Sequence, residues 1–427
     1  MPGAATTYAH RLLAQLGLDA IALDGRADPA PLAWRRAGLM AVTGRADGPA
    51  LVCPAALASA ADGVMMALRA IAPDTAWPLN GALLLGERAR LLGLTRGGRL
   101  SANRSCRVMR ISDGEVALNL AREADRDLLP LLLADHEADL SDWAAIERAA
   151  AGCDSTTLLA RGVEMSMAIA AVVPPRPPAR FFPALKSVRT VLDRPPLVVD
   201  LSSLWAGPLC GSLLAMAGAQ VVKVESRTRL DGARFRHGEF YDLLNAGKAS
   251  VTLDFQDKAD RRALAALVAQ ADIVIEASRP RALRQLGIDR DAEVARGAIW
   301  IGITAHDDPD RIGFGDDAAV AGGLAAIMAE GWGEALFVGD AIADPLTGLH
   351  ATLAALVAWR QGQAGLIALS LAGTTAFACH AGLASPALLR DWQAQAQADD
   401  APLYPLRAPV GKAALPGADN DRVLASC

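Results

Sequence analysis

Residues 198–225 read VVDLSSLWAGPLCGSLLAMAGAQVVKVE. The apolar run 197–201 carries Asp200 near its end, the pattern of a parallel strand buried on both faces. A turn and a helix follow through Ala206-Gly207-Pro208, and a second strand is expected at 220–224. The alternation continues downstream, with strands at 250–254, 272–276, 298–304 and 366–371. Helices are expected between them at 260–270, 282–286 and 318–330. Alternating strands and helices predict an α/β fold with a doubly wound parallel, Rossmann-like sheet. No G-x-G-x-x-G follows the first strand, so no nicotinamide or flavin is indicated.

Further along, residues 339–359 read GDAIADPLTGLHATLAALVAW. Asp344 followed by Pro345 is a helix-start signal, and the chain after Leu349 is apolar and helix-forming. Asp344 is therefore expected at the N-cap, facing free backbone N–H groups that favour its ionised form. Two readings stay open from this stretch alone: a capping residue, or a nucleophile.

Residues 198–225, 243–255 (LLNAGKASVTLDF) and 271–289 (ADIVIEASRPRALRQLGID), with Asp344 and Gly348, resemble the class III CoA-transferases in order, spacing and residue type. That family includes formyl-CoA and carnitine CoA-transferases and the methylacyl-CoA racemases. The resemblance covers about 195–371. It implies that Asp344 is the nucleophile, that coenzyme A is a co-substrate with no tightly bound cofactor, and that acyl-CoA and a small carboxylic acid are the partners. It also implies a homodimer, possibly interlocked. A nucleotide site is implied at three turns after strands, in the place where open α/β sheets bind ligands. These are Ser203, Leu204, Trp205 and Ala206; then Arg227; then Ala277, Ser278, Arg279 and Arg284. Arg229, Arg234 and Arg236 make the second turn basic, which suits phosphate. Where the family has a polar residue, often Gln, this chain has Trp205, and Ala277 and Ser278 stand in place of an Asn and an aromatic. Lys248 either reaches a phosphate or pairs with Glu225, and the structural pairing is the expected role.

Two alternatives to CoA transfer follow from the same resemblance. The racemases pair this Asp with a His, whose place falls on Gly313 here, with His306 out of register. The eroded motifs also fit a non-catalytic CoA-binding protein. His350, six residues after Asp344, reads as structural.

The first half is organised differently. Residues 8–24 read as a helix, a glycine turn and a short strand; within them 12–24 (LLAQLGLDAIALD) echo 213–225 (LLAMAGAQVVKVE), and 37–71 can be laid on 322–356 without a gap. Gly63 then falls on Gly348 and Ser59 on Asp344, which reads as a duplicated unit whose first copy has lost its acid. Residues 1–76 are accordingly expected to be a degenerate partial repeat of the large domain. Residues 77–173 are expected to form a second, smaller α+β domain with a hairpin around Asp113-Gly114 and helices at 124–133 and 140–161. The proline-rich stretch 174–194 reads as a stiff linker, 195–389 as the large domain, and 390–427 as a tail wrapping a surface or a partner.

Composition sets the outer limits. The chain has 427 residues, 52% hydrophobic and 21% charged, with a net charge of −5. That suits a globular protein and argues against general nucleic-acid binding. Its six cysteines show no metal or disulfide spacing, so free thiols and a cytoplasmic location are expected. Neither a signal peptide nor a membrane span is expected.

Overall fold

The computed structural model describes residues 3–18, 21–23, 25, 27–135, 139–177, 180–187, 194–236, 238–278 and 280–425. The first half opens with four helices, α1 (Ala4–Gln15), α2 (Ala30–Arg36), α3 (Leu57–Ile71) and α4 (Gly81–Leu91). A small unit follows: β1 (Cys106–Ile111), β2 (Gly114–Asn119), α5 (Leu129–Leu133), α6 (Trp143–Ala150), α7 (Ser155–Glu164) and β3 (Ala168–Ala171). Its three strands form an antiparallel sheet in the order β1-β2-β3. Met109 and Ile111 face the helices with Leu129, Leu132 and Ile146, while Cys106 and Val108 face the other way onto Val320, Ala325 and Phe337. The alternation of strand side chains thus glues the small sheet to the second half of the chain.

The second half begins with β4 (Lys186–Ser187), β5 (Leu197–Asp200), α8 (Ala206–Met216) and β6 (Gln220–Ser226). It continues through α9 (Ala233–Arg236), α10 (Gly238–Asn245), β7 (Ala249–Leu253), α11 (Lys258–Gln270), β8 (Ile273–Glu276), α12 (Pro280–Gln285) and α13 (Arg290–Arg296). Then come β9 (Ile299–Thr304), α14 (Gly315–Ala321), α15 (Leu324–Trp332), α16 (Ala343–Arg360), β10 (Gln363–Ser370), α17 (Leu371–Ala378), α18 (Pro386–Ala398) and α19 (Asn420–Leu424). The strands form one sheet in the order β4-β10-β9-β8-β5-β6-β7, parallel except for β4. The chain builds outward from β5 in both directions. The crevice between the carboxyl ends of β5 and β8 is therefore the switch point where such sheets take ligands.

The expected α/β architecture and separate small sheet are present. Several local expectations are corrected. The helix expected at 318–330 is two helices, broken at Gly322-Gly323, where Gly323 takes a left-handed φ of 99° that a continuous helix cannot hold. Residues 140–161 likewise divide into α6 and α7, each started by an aspartate, Asp142 and Asp154, whose side chain accepts a backbone N–H. The short strand expected after α1 is not formed by the described residues 21–23.

The tail wraps its own chain. Asp419 and Asn420 exchange hydrogen bonds with Ser250 and Thr252 on the open side of β7. They satisfy an edge that would otherwise offer unpaired N–H and C=O groups to another strand. Nearer the start of the tail, Arg407 forks onto Glu87 of α4. The proline-rich stretch ends in an anchor: Phe181 stacks on Phe377 at 4.3 Å and 6°, and Gln15 of α1 accepts the Phe181 and Phe182 N–H groups. Tyr8, Leu12, Leu57 and Met65 from the first half share one core with Leu209, Leu213, Leu349 and Leu353 from the second. The halves are thus joined in cis by buried apolar surface, at about 25 cal/mol per Å². Among the described residues no helix is long and apolar enough to cross a membrane. Cys53, Cys106, Cys153, Cys210 and Cys379 are free thiols, and Cys427 lies outside the described residues.

Candidate active site

Asp344 lies in the first turn of α16 and not at its cap, which is Ile342. The chain enters the helix two residues earlier than Asp-Pro suggests. Ala341 turns with a left-handed φ of 42°, and the Ala341 N–H is caught by Asp316 Oδ1 at 2.9 Å. Between residues 335 and 359 every residue is buried except Asp344, which keeps partial access. A polar side chain is thus presented from an otherwise sealed segment.

Three elements supply its surroundings. From α8, the backbone at Ala206, the first residue of the helix, faces the Asp344 carboxylate and favours its charged form, as the positive end of a helix does. From α14, Gly315 leaves room: a Cβ there would stand 2.0 Å from Asp344 Oδ2. From α16 itself, Gly348 lets α8 approach, since a Cβ there would lie 2.6 Å from the Ala206 carbonyl oxygen. The charge partners are Arg88 of α4, Asp316 of α14 and Asp340 just before α16. Arg88 forks onto Asp340 through Nε at 2.7 Å and Nη2 at 2.6 Å, and its guanidinium lies 4.5 Å from the centre of the Trp205 ring. Asp316 Oδ2 accepts from Asn103 Nδ2 at 2.8 Å.

The expectation that Asp344 is held ionised by a cap is corrected. Burial pushes its carboxyl up to about 7; Arg88 opposes this, Asp316 and Asp340 add to it, and the Ala206 backbone opposes it. Asp316 is pushed to about 7 as well, by burial and then by Asp340. The cluster therefore changes charge near neutrality. Among the described residues no group of three or more His, Cys, Asp and Glu could hold a metal ion.

The expected nucleotide residues lie on loops at the carboxyl edge of the sheet, after β5, β6 and β8, which are neighbours there. Ser203 and Leu204 are exposed, and Trp205 and Ala206 are buried. Leu204 takes a left-handed φ of 69°, uncommon outside glycine, with its N–H on the Asp231 carboxylate. Arg227 is exposed and pairs with Asp260 at 3.3 Å. Arg234 is turned inward onto Glu225 and over the Tyr241 ring, and is thereby lost to a basic surface. Ala277 is exposed. Among the described residues the buried Ser278 hydroxyl has no hydrogen-bond partner, and neither has Glu276 Oε2. Arg279 lies outside the described residues. Arg284 is exposed on a small cavity of about 40 Å³ shared with Glu276, Ile288 and Arg290. A larger cavity of about 410 Å³ lies between Asp28, Asp62, Arg69 and Tyr404 in the first half. Asp344 lines neither cavity.

Lys248 is structural, as expected, but its partner is Asp200 at 2.9 Å, because Glu225 is taken by Arg234. His350 is structural too. Its Nδ1 bonds the Leu346 carbonyl at 2.7 Å, so Nε2 accepts from the Tyr8 hydroxyl at 2.8 Å, and burial lowers its pKa to about 4. Sequence reasoning missed Arg88 and Asn103, which carry no motif. Asp340 stood in the quoted stretch 339–359 and Asp316 lies three residues after Gly313, so both could have been found as extra acids near Asp344.

Residues 196–406 match the profile of CoA-transferase family III. This part of the chain belongs to CoA-transferase family III. A succinyl-CoA–D-citramalate CoA-transferase from Chloroflexus aurantiacus is 32% identical over 179 residues, 39% of this chain and 44% of that protein. A formyl-CoA:oxalate CoA-transferase from Rhodopseudomonas palustris is 29% identical over 176 residues, 38% of this chain and 41% of that protein. The alignments thus span less than half the length of these family III relatives. A solved CAIB/BAIF family protein from Brucella suis is 28% identical, covering 50% of this chain and 59% of that one, with a TM-score of 0.37.

Proposed function

We propose that this chain is a CoA-transferase that moves CoA from an acyl-CoA to a free carboxylic acid through Asp344. The observation that carries the reading is the presentation of Asp344: the one partly accessible residue of a sealed segment, with a helix N-terminus on one side and a glycine on the other. The Asp344 carboxylate attacks the thioester carbonyl, the C–S bond breaks, and an aspartyl anhydride and CoA thiolate form. The thiolate then attacks the aspartyl carbonyl, releasing the donor acid and leaving an aspartyl–CoA thioester. The acceptor carboxylate attacks that thioester to regenerate thiolate and an anhydride. Thiolate attack on the acceptor carbonyl yields the new acyl-CoA and frees Asp344. The Ala206 backbone stands where developing oxyanion charge on the aspartyl group would be met. The nucleotide end of CoA would lie over the loops at 203–206, 227 and 277–284.

The test is incubation with an acyl-CoA panel and hydroxylamine. A hydroxamate at Asp344 is expected, and its absence with every acyl-CoA overturns the reading. The expected assembly is a cytoplasmic homodimer, which light scattering at micromolar concentration checks.

A second reading rests on His306. Its Nε2 lies 2.9 Å from where a Cβ on Gly313 would stand and 3.7 Å from Asp317 Oδ2, and neither polar atom has a hydrogen-bond partner. The imidazole so fills the space beside Gly313 from a different point in the chain, giving a second group able to move a proton. Deuterium uptake at the acyl α-carbon without hydroxamate would favour racemisation.

A further inference from the structure

Arg88 comes from the part of the chain outside the family III match, yet its positive charge is the one that bears on Asp344. It lies on α4, which is locked in place at two glycines. A Cβ on Gly81 would meet the Ala61 carbonyl oxygen at 2.0 Å, and one on Gly86 the Ala37 carbonyl oxygen at 2.1 Å. A helix seated this closely presents its side chains with little play.

The guanidinium has two engagements. Its edge forks onto Asp340, which is fully buried. Its face lies on Trp205, the residue before Ala206, whose backbone faces Asp344. The arginine therefore acts on the acid by two routes, through charge and through the residue that orients that backbone. Planar stacking together with a fork is something lysine cannot reproduce. The groups facing Asp344 are Arg88 from α4, Asp316 from α14, Asp340 from the approach to α16, and the backbone of α8. One cation among three acids is the balance that decides the charge of the site.

We propose that Arg88 is a positioning residue for Asp344: its charge favours the ionised carboxylate against Asp316 and Asp340, and by stacking on Trp205 it holds the Ala206 backbone against it. This rests on the transferase reading for its purpose, but its test does not need turnover. Infrared difference titration, with Asp344→Asn as the reference, reads the protonation of Asp344 directly. Arg88→Met is expected to raise the midpoint by about one pH unit or more, since a neighbouring cation lowers a carboxyl by roughly that amount. Arg88→Lys should bring back part of the shift, because it restores the charge without the stacking. Asp340→Asn, which removes a competing negative charge and frees the Arg88 fork from its carboxylate partner, should lower the midpoint and serves if Arg88→Met does not fold. In turnover, the acid limb of the kcat/KM profile should move with the midpoint while KM for the acyl-CoA stays within about twofold.

A purely structural clamp between α4 and α16 would lower stability in the Arg88 variants and leave the midpoint where it was, and that result overturns the proposal. An unmoved midpoint in Asp340→Asn overturns it equally. If the midpoint moves but no wild-type transfer is found with any acyl-CoA, the transferase reading fails and the positioning role of Arg88 stands.

Discussion

The helix pair α1–α3 and the helix pair α8–α16 are built alike, but at the matching position one carries Ser59 and the other the acid Asp344. In the first pair a Cβ on Gly63 would lie 2.6 Å from the Ala5 carbonyl oxygen, and in the second a Cβ on Gly348 would lie 2.6 Å from the Ala206 carbonyl oxygen. Gly17 after α1 and Gly218 after α8 both take left-handed φ values, 73° and 98°. So do Gly38 and Gly323, each at the start of the helix that follows. These are the positions that the ungapped sequence register pairs, which supports the duplication proposed for the first 76 residues. Ser59 stands where the second pair has Asp344, and it is buried, while Asp344 keeps access. The packing of the helix pair therefore does not require an acid at that position, and the acid in the second pair calls for an explanation beyond structure.

Removing the acid should make the largest difference between the two pairs. Asp344→Asn is expected to lower acyl transfer on the order of 10⁴-fold or more, as the loss of a nucleophile does. Ser59→Ala, at the matching place in the first copy, should leave the rate within about twofold. Thioester exchange followed by mass spectrometry reads both, and comparable losses would erase the functional distinction.

The two close-approach glycines sharpen the comparison next. Gly63→Ala and Gly348→Ala each push a methyl group into a backbone carbonyl, which cannot swing aside as a side-chain tip can. Each should cost about 1–3 kcal/mol in denaturant unfolding. The difference should appear in catalysis. Displacing α8 from Gly348 also displaces the Ala206 backbone, so Gly348→Ala should lose transfer at a temperature where it remains folded. Gly63→Ala should lose stability alone.

How much of this could be read in advance depends on which physical signal each part leaves in the chain. The parallel sheet was legible because strands buried on both faces, such as Leu197–Asp200 and Ile273–Glu276, read as apolar runs between helices. Asp344 was legible because an acid beside a proline ahead of an apolar helix is a conspicuous pattern. Its protonation was misread, because the sequence gives the helix start but neither the depth of burial nor the approach of Asp316 and Asp340. Arg88 was invisible for a different reason. It lies 256 positions upstream in GERARL, an unremarkable helical stretch, and only the tertiary packing of α4 brings it to the site. The basic turn after β6 was half misread, since Arg234 finds Glu225 inside the fold and never reaches the surface as phosphate binding requires.

The pH dependence of stability separates the pairs further. Asp344 is pushed up to about 7 in the folded protein, by burial first, against about 3.9 in an unfolded chain. The folded state therefore binds more protons than the unfolded state between about pH 4 and 7. Stability contributed by this group is full below that window, falls as pH rises through it, and is lost above it. Asp344→Asn removes the titration, so it should be more stable than wild type at pH 8, on the order of 4 kcal/mol, and indistinguishable from it near pH 4. Ser59 has no charge to titrate, and Ser59→Ala should leave the shape of the pH profile unchanged. An Asp344→Asn profile parallel to wild type would mean that the carboxyl is not held up by its surroundings.

The smallest expected difference concerns the paired left-handed glycines. Both Gly38→Ala and Gly323→Ala place a side chain at positive φ, which costs about 1 kcal/mol wherever it occurs. The neighbours then decide. A Cβ on Gly38 would meet the middle of the Arg90 side chain at 2.6 Å, a flexible group that can rotate away. A Cβ on Gly323 would meet the backbone nitrogen of Pro175 at 2.4 Å, in the stiff segment that Phe181 anchors against Phe377. Gly323→Ala should therefore be the more destabilising by about 1 kcal/mol or more, the cost of overpacking a contact that cannot yield. Equal unfolding midpoints for the two variants would mean that the proline segment gives way as easily as an arginine does, and that it is not the fixed strap across the second copy that its aromatic anchor implies.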